Sequence, residues 1–145
     1  MDVTSSTSAA AASSAAASSQ QQLSSTVNTC LTLLNPVFVP YGLKARVLRA
    51  FGAKIGTGVV IKPGIHVKYP WFLTVGDHVW LGERVWIDNF MPVRIRANAC
   101  ISQSAYLCTG NHDWSDPGMG LVVKAITIEA GAWVGAFAKI APGLT

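Results

Sequence analysis

The sequence predicts an all-β solenoid from Ile55 to Thr145, and three observations support this prediction. Aliphatic residues recur at steps of six in four triplets. Glycine often follows such an aliphatic anchor, and a small or medium apolar residue often lies four positions after it. A period of six fits neither an α-helix nor a half-buried strand, but it fits a chain that makes a flat step and a corner in every repeat. Three such steps close one triangular coil.

The anchors are expected to point into the solenoid and to stack on the anchors of neighbouring coils, so that each repeat contacts mainly its neighbours. All twelve anchors are Ile, Val or Leu: Ile55, Ile61, Val67, Val75, Leu81, Ile87, Ile95, Ile101, Leu107, Ile128, Val134 and Ile140. Glycine follows four of them, at Gly56, Gly76, Gly82 and Gly135. At these positions we expect a corner with positive φ, which glycine adopts without steric cost.

Three interruptions of the repeat all follow the third anchor of a triplet. The step is eight after Val67, eight after Ile87 and twenty-one after Leu107. In a three-sided stack these positions lie above one another along one edge, so the inserted residues should gather on one side. Extra chain on one edge of a regular scaffold is a common way to build a functional site.

The chain before the repeat divides into two parts. Residues 1–29 are low-complexity Ser, Ala, Thr and Gln, which predicts a disordered tail. Residues 30–54 form a linker and a short amphipathic helix, with Leu43, Val47, Leu48 and Phe51 at helical spacing. The helix either caps the end of the solenoid or lies on an anionic membrane surface. The third region, residues 55–145, is the solenoid domain.

The overall composition narrows the class of function. The formal net charge of +4 over 145 residues is mild, and the basic residues form no long run, so no nucleic-acid groove is predicted. Three cysteines without a framework spacing indicate a reducing compartment, and we expect a cytoplasmic protein. Cys100, Cys108 and His112 match no zinc spacing, so no metal site is expected.

The long insertion contains the strongest candidate for chemistry. It reads TGNHDWSDPGMGLVVKA over 109–125, and His112 lies near its start. A histidine on the interrupted edge suits a general base, whereas His66 and His78 lie within regular repeats. Cys108 is an alternative nucleophile, but it directly follows an anchor. Trp71 and Trp114 could stack on a sugar ring through their flat apolar faces, or could anchor the loops.

The region Ile55–Thr145 resembles the hexapeptide-repeat acetyltransferases, and within them the colanic acid biosynthesis group, near the maltose, galactoside and nodulation acetyltransferases. The resemblance is carried by four segments: FGAKIGTGVVIKP at 51–63, YPWFLTVGDHVWLGERVWIDN at 69–89, CISQSAYLCTGNHDWSDP at 100–117 and AITIEAGAWVGAFAKIAPG at 125–143. It implies a left-handed parallel β-helix, a homotrimer, and acetyl-CoA as cosubstrate in a groove between adjacent subunits. It also implies that the pattern continues beyond Thr145, so the domain is expected to be C-terminally truncated.

The same resemblance assigns roles to individual residues. It implies that His112 takes the proton of an acceptor sugar hydroxyl, and that Asn89, with Asp88 beside it, lies where acceptor hydroxyls bind. Either Asn89 or Asp88 is expected to orient the substrate or the imidazole, and both assignments stay open. It places Trp133, Gly135 and Ala136 along the pantetheine groove, although Trp133 could instead be a corner aromatic that packs on a neighbouring coil.

The predicted function is O-acetylation of a sugar or polysaccharide precursor by direct transfer from acetyl-CoA. Two alternatives use the same fold: acetyl transfer to serine or an amine, and a non-catalytic scaffold. A zinc-dependent carbonic anhydrase relative would need several histidine ligands on adjacent coils, and the chain has three histidines in irregular register.

Overall fold

The computed structural model describes residues 18–26, 28–29 and 39–145. Residues 54–140 contain fourteen short strands. Twelve of them form three parallel four-stranded sheets, in which consecutive strands fall in successive sheets, and β10 and β11 form a separate hairpin. The first sheet contains β1 (Lys54–Ile55), β4 (Leu73–Val75), β7 (Val93–Ile95) and β12 (Ile126–Ile128). The second contains β2 (Val60–Ile61), β5 (Trp80–Leu81), β8 (Cys100–Ile101) and β13 (Trp133–Val134). The third contains β3 (His66–Val67), β6 (Trp86–Asp88), β9 (Tyr106–Cys108) and β14 (Lys139–Ile140).

This order is consistent with a parallel β-helix of four coils, each made of three strands. We number them coil 1 (β1–β3), coil 2 (β4–β6), coil 3 (β7–β9) and coil 4 (β12–β14). The predicted anchors pair in register from coil to coil, as in the column Ile55, Val75, Ile95 and Ile128. All anchors except the partly buried Ile140 are buried in one core. The predicted stacking of anchors is therefore confirmed.

The corners differ from the prediction in one respect. Positive φ occurs three residues after the anchors, rather than at the glycines that follow them. The residues concerned are Gly58, Gly64, His78, Arg84, Asn98, Ser104, Gly131, Phe137 and Gly143. The glycines directly after the anchors instead allow the backbones of neighbouring coils to lie close together. A Cβ on Gly82 would lie 2.5 Å from the Gln103 nitrogen in coil 3. A Cβ on Gly76 would likewise lie 2.6 Å from the Ala97 nitrogen.

A helix covers the first coil. This helix, α2 (Tyr41–Ala50), buries Ala45 and Leu48 against the solenoid. The predicted apolar face is partly wrong, because Leu43 is exposed while Lys44 is only 2% exposed. Lys44 Nζ donates to the Ile61 carbonyl at 3.3 Å, and the Arg49 guanidinium donates to the Ile55 and Gly56 carbonyls at 2.8–3.0 Å. These cationic side chains donate hydrogen bonds to backbone carbonyls of coil 1, at the end of the solenoid. Helix α2 therefore caps the solenoid at this end.

The N-terminal region also departs from the prediction in its described part. Residues 18–26 and 28–29 are helical (α1), whereas the sequence predicted a disordered tail to residue 29. The Asn28 side chain accepts a hydrogen bond from the Val67 backbone at 3.1 Å, which ties α1 to coil 1. Residues 1–17 and most of the linker lie outside the described residues. Within the described ranges, no helix has the length and apolarity needed to cross a membrane.

Candidate active site

The long insertion forms a β-hairpin that leaves the solenoid after coil 3. Strands β10 (Gly110–His112) and β11 (Leu121–Val123) pair antiparallel, with His112 opposite Leu121. The hairpin begins at the buried Thr109, whose backbone N–H donates to the Asp88 carbonyl at 3.1 Å. The hairpin is therefore anchored to coil 2 at its base, and its tip, residues 113–120, extends beyond the ladder.

The three interruptions contact one another, as the repeat predicted. The Tyr69 ring lies 6.0 Å from the Phe90 ring between centroids, and Thr109 Oγ1 accepts a hydrogen bond from the Met91 N–H at 3.0 Å. A Cβ on Gly110 would lie 3.0 Å from Phe90 Cδ2. The interrupted edge is thus one continuous side of the solenoid, with the hairpin at its end.

The imidazole of His112 has a defined orientation. Its Nδ1 lies 2.7 Å from the Met119 carbonyl oxygen across the hairpin tip. A carbonyl oxygen can only accept a hydrogen bond, so Nδ1 must carry the proton. In the neutral ring the lone pair is then on Nε2, which has no hydrogen-bond partner among the described residues. This tautomer is the one that a general base acting through Nε2 requires.

His112 lines a surface cavity of about 280 Å³. The cavity is lined by Asn111, His112, Asp113, Trp114, Val122, Lys124, Ala141 and Pro142. A second cavity of about 270 Å³ adjoins it through Asn111, Ala141 and Pro142, and it contains Tyr106, Cys108 and Lys139. The hairpin and the end of coil 4 therefore enclose a groove in which His112 and Trp114, two predicted site residues, lie together. Trp114 is 86% exposed.

Asp113 stabilises the hairpin tip next to His112. Its Oδ1 accepts hydrogen bonds from the Ser115 hydroxyl at 2.5 Å and from the Ser115 N–H at 3.0 Å. These two donors from Ser115 lower the pKa of Asp113 below its usual value. The carboxylate is thereby held in its charged form and turned toward its own loop.

Asp88 does not contact the imidazole of His112. Its Oδ1 forms an ion pair with Lys68 Nζ at 2.9 Å, and its Oδ2 accepts a hydrogen bond from the Tyr106 hydroxyl at 2.9 Å. Burial raises the pKa of Tyr106, and its hydrogen bonds with Cys108 and Asp88 raise it further, so the phenol stays protonated. The imidazole is oriented by the Met119 carbonyl instead.

Asn89 has a structural role in this conformation. It is fully buried, its Oδ1 accepts from the Tyr69 N–H at 2.9 Å, and its Nδ2 donates to the Tyr69 carbonyl at 2.7 Å. Both polar atoms of the amide are thus used to bind the backbone of coil 1. This geometry does not support the predicted contact between Asn89 and an acceptor, because no surface of the side chain is accessible.

The remaining predicted residues lie apart from His112. Trp71 packs against Tyr69, with ring centroids 5.3 Å apart, and a Cβ on Gly52 would lie 3.1 Å from its Cβ, so the loop-anchoring interpretation fits its surroundings. Trp133 is 78% exposed on coil 4, and its Nε1 donates to Ser102 Oγ at 2.8 Å. Gly135 and Ala136 are exposed on the same coil, and none of these three lines either cavity.

Sequence reasoning did not identify Met119 or Lys124. Met119 contributes a backbone carbonyl, which no residue type signals, and only the turn residues around it indicate a special conformation. Lys124 lines the His112 cavity, and its side chain packs beneath Gly143, whose Cβ would lie 3.0 Å from Lys124 Cδ. Among the described residues, no group of three or more His, Cys, Asp or Glu side chains is placed to hold a metal ion.

The sequence is similar to a named acetyltransferase and to a nodulation protein. It is 41% identical over 107 residues to the Escherichia coli (strain K12) protein with the provisional name colanic acid biosynthesis acetyltransferase WcaF, covering 74% of this chain and 59% of that relative. It is 28% identical over 102 residues to nodulation protein L of Rhizobium meliloti (strain 1021), covering 68% of this chain and 55% of that relative. The chain thus spans somewhat more than half the length of these relatives. No protein-family model matches it.

Solved structures match the fold more completely than they match the sequence. A hexapeptide-repeat acetyltransferase from Vibrio cholerae superposes with a TM-score of 0.75 at 18% identity, over 87% of this chain and 71% of that one. A maltose O-acetyltransferase from Clostridium difficile 630 gives 0.75 at 16% identity, over 86% and 67%. The Vibrio protein complexed with acetyl-CoA gives 0.63 at 14% identity, over 88% and 81%. The chain therefore has the fold of the hexapeptide-repeat acetyltransferases, and the predicted resemblance to that family and its colanic acid biosynthesis group is confirmed.

Proposed function

We propose that this chain carries the catalytic part of an acetyl-CoA-dependent O-acetyltransferase that acts on a sugar or polysaccharide-precursor hydroxyl, with His112 as the general base. The observation that carries the proposal is the hydrogen bond between Nδ1 and the Met119 carbonyl at 2.7 Å, because it leaves Nε2 as the free basic atom at a surface cavity. The name of the Escherichia coli relative, colanic acid biosynthesis acetyltransferase WcaF, supports both acetyl transfer and a polysaccharide precursor.

The proposed reaction is a direct transfer. Nε2 of His112 removes the proton from the acceptor hydroxyl as its oxygen attacks the thioester carbonyl. The tetrahedral oxyanion then collapses, the carbon–sulfur bond breaks, and the proton passes from the imidazolium to the coenzyme A thiolate. The products are an acetyl ester and the free thiol, and no covalent enzyme intermediate forms. A backbone N–H is the expected donor to the oxyanion.

The groove beside the hairpin suits a sugar acceptor. Trp114 presents an exposed indole next to His112, and such a flat apolar face can stack on a pyranose ring. Lys124 and Asn111 add polar groups that can bind hydroxyls. On coil 4, the exposed Trp133 with Gly135 and Ala136 is our candidate surface for the pantetheine arm. A structural neighbour solved as an acetyl-CoA complex supports this choice of donor.

The finer features of the architecture belong to the same proposal. We expect the solenoid to be left-handed, because its structural neighbours are hexapeptide-repeat acetyltransferases. We also expect three copies to assemble around their long axes, with each donor groove between two subunits. Chemical cross-linking and sedimentation would test the trimer.

The test is release of coenzyme A thiol from acetyl-CoA by the purified chain against a panel of sugars, lipid-linked sugars, serine and simple amines. His112→Ala should lower turnover by roughly 10²–10⁴-fold, the usual contribution of a general base. The control is His78→Asn, which removes another imidazole but keeps a residue that tolerates the positive φ at this corner. Turnover of His112→Ala equal to that of the wild type would reject the base, and preference for serine or an amine would reject the sugar acceptor.

A further inference from the structure

The carbonyl that orients His112 belongs to a residue in an unusual conformation. Met119 has a φ of +50°, in the left-handed region that non-glycine residues rarely occupy. Its side chain is half exposed and lines neither cavity, so packing of the side chain does not explain the conformation. What the conformation does achieve is to place the Met119 oxygen 2.7 Å from His112 Nδ1.

One side chain binds the backbone on both sides of Met119. Asp116 Oδ1 accepts a hydrogen bond from the Gly118 N–H at 3.0 Å, and its Oδ2 accepts one from the Gly120 N–H at 3.4 Å. The Asp116 carbonyl accepts a third from the Met119 N–H at 2.8 Å. The carboxylate therefore holds the residues before and after Met119 while the main chain holds Met119 itself.

The regular hairpin does not need this carboxylate. The paired residues of β10 and β11 extend to His112 and Leu121, and the Asp113 N–H closes the ladder by donating to the Gly120 carbonyl at 2.9 Å. These bonds place the backbone of His112. They leave its ring free to rotate about χ1 and χ2. Within the part of the chain that the structure describes, the only hydrogen bond on the ring is the one to the Met119 carbonyl.

We infer that Asp116 is a positioning residue for His112: it fixes Met119 in the left-handed conformation so that the Met119 carbonyl selects the Nδ1–H tautomer and directs Nε2 to the acceptor. The inference rests on the proposed role of His112 as the base. It predicts that the β10–β11 backbone pairing sets the position of His112, whereas Asp116 sets the tautomer and orientation of its imidazole.

The experiment compares Asp116→Ala with Asp116→Asn and with the control Ser115→Ala. Asparagine has one acceptor oxygen where aspartate has two, so it can keep one of the two glycine bonds. Ser115→Ala removes a hydroxyl from the same loop but leaves every bond to Met119 in place. The readout is the ¹⁵N NMR spectrum of the histidine rings in the 145-residue chain, with the His112 signals assigned from His112→Gln.

The wild type and Ser115→Ala should show the proton on Nδ1 of His112 alone. Asp116→Ala should show exchange between both tautomers, and Asp116→Asn should fall between them. In the turnover assay, Asp116→Ala should lower kcat by about 10²-fold, the usual cost of a misplaced catalytic group, with little change in KM for acetyl-CoA. A ring spectrum of Asp116→Ala identical to that of the wild type would overturn the inference.

Two further variants guard against loss of the hairpin fold. Met119→Gly keeps the carbonyl and favours positive φ, so it should retain the wild-type tautomer. Met119→Val places a β-branched residue where positive φ is strongly disfavoured and should lose the tautomer while the His112–Leu121 amide pairing persists. The spectra do not depend on turnover. An active His112→Ala would reject the proposed base, and an inactive wild type would count against the proposed activity of this chain. The outcome for Asp116 can be determined in both cases.

Discussion

Gly→Ala substitutions at two equivalent positions can measure how much the close packing of neighbouring coils contributes to stability. Gly82 follows Leu81 in coil 2, and a Cβ there would lie 2.5 Å from the Gln103 nitrogen and 2.7 Å from the Ser102 carbonyl carbon. Gly135 follows Val134 at the corresponding place in coil 4, and a Cβ there would meet nothing within 4 Å. The same Gly→Ala change is therefore an overpacking mutation in one coil and a harmless one in the other.

The magnitude for Gly82→Ala follows from the contact. The obstructing atoms belong to the backbone, so relief requires coils 2 and 3 to separate by several tenths of an ångström. That movement would stretch the hydrogen bond from the Gly82 N–H to the Ile101 carbonyl, which is 2.8 Å long. We expect a loss of about 3 kcal/mol, at the upper end of the usual cost of overpacking. That loss corresponds to a fall in Tm of roughly 12–24 °C for a domain the size of residues 55–145.

For Gly135→Ala we expect no loss, and a gain of up to about 1 kcal/mol because alanine restricts the unfolded chain. Both variants can be compared with the wild type by calorimetry and urea denaturation. Equal stability of Gly82→Ala and the wild type would refute the idea that these glycines are required for close approach. A loss in Gly135→Ala as large as that in Gly82→Ala would show that the cost is intrinsic to the repeat position.

Three further predictions concern contacts described above. Asn89→Ala leaves the Tyr69 N–H without its partner, whereas the Tyr69 carbonyl keeps its hydrogen bond from the Phe72 N–H. We therefore expect a loss of roughly 1–3 kcal/mol in denaturant unfolding; unchanged stability with a raised KM for the acceptor would instead restore the substrate role. Arg49→Ala removes the hydrogen bonds to the Ile55 and Gly56 carbonyls of coil 1, so we expect a loss of about 1–3 kcal/mol in the free energy of unfolding. Arg46→Ala on the same helix is the control. Trp133→Ala should weaken acetyl-CoA binding in calorimetry more than it affects the acceptor, and equal donor affinity would leave the indole with only its bond to Ser102.

The repeat could be predicted from the sequence because burial selects an aliphatic side chain at every anchor. Each aliphatic anchor pairs with the anchor of the next coil, so a period of six was sufficient to set the register. The corners were less readable. Positive φ falls on His78, Arg84, Asn98 and Ser104 as well as on glycines, because the geometry of the coil outweighs local preference there.

The site was only partly readable for a related reason. His112 stood out because it interrupts a regular pattern, whereas its partner is a main-chain carbonyl that any residue could supply. Asn89 attracted a functional interpretation although its amide replaces missing backbone pairing between coils. Helix α1 was missed because Ser, Ala and Gln give no apolar periodicity, and its contact with the solenoid is made by a polar side chain, Asn28.

The spacing between paired anchors bears on how freely the β10–β11 hairpin can change in length. Ile55 pairs with Val75 across 20 residues, and Ile95 pairs with Ile128 across 33, because the hairpin is inserted between coils 3 and 4. Loop-closure entropy grows only with the logarithm of length, so the longer connection costs about 0.4 kcal/mol more than a regular one. Insertions and deletions at the hairpin tip are therefore nearly neutral for folding, provided that the pairing of Ile95 with Ile128 is kept. The loop that borders the His112 cavity can thus change in length at little cost to the folding of the scaffold.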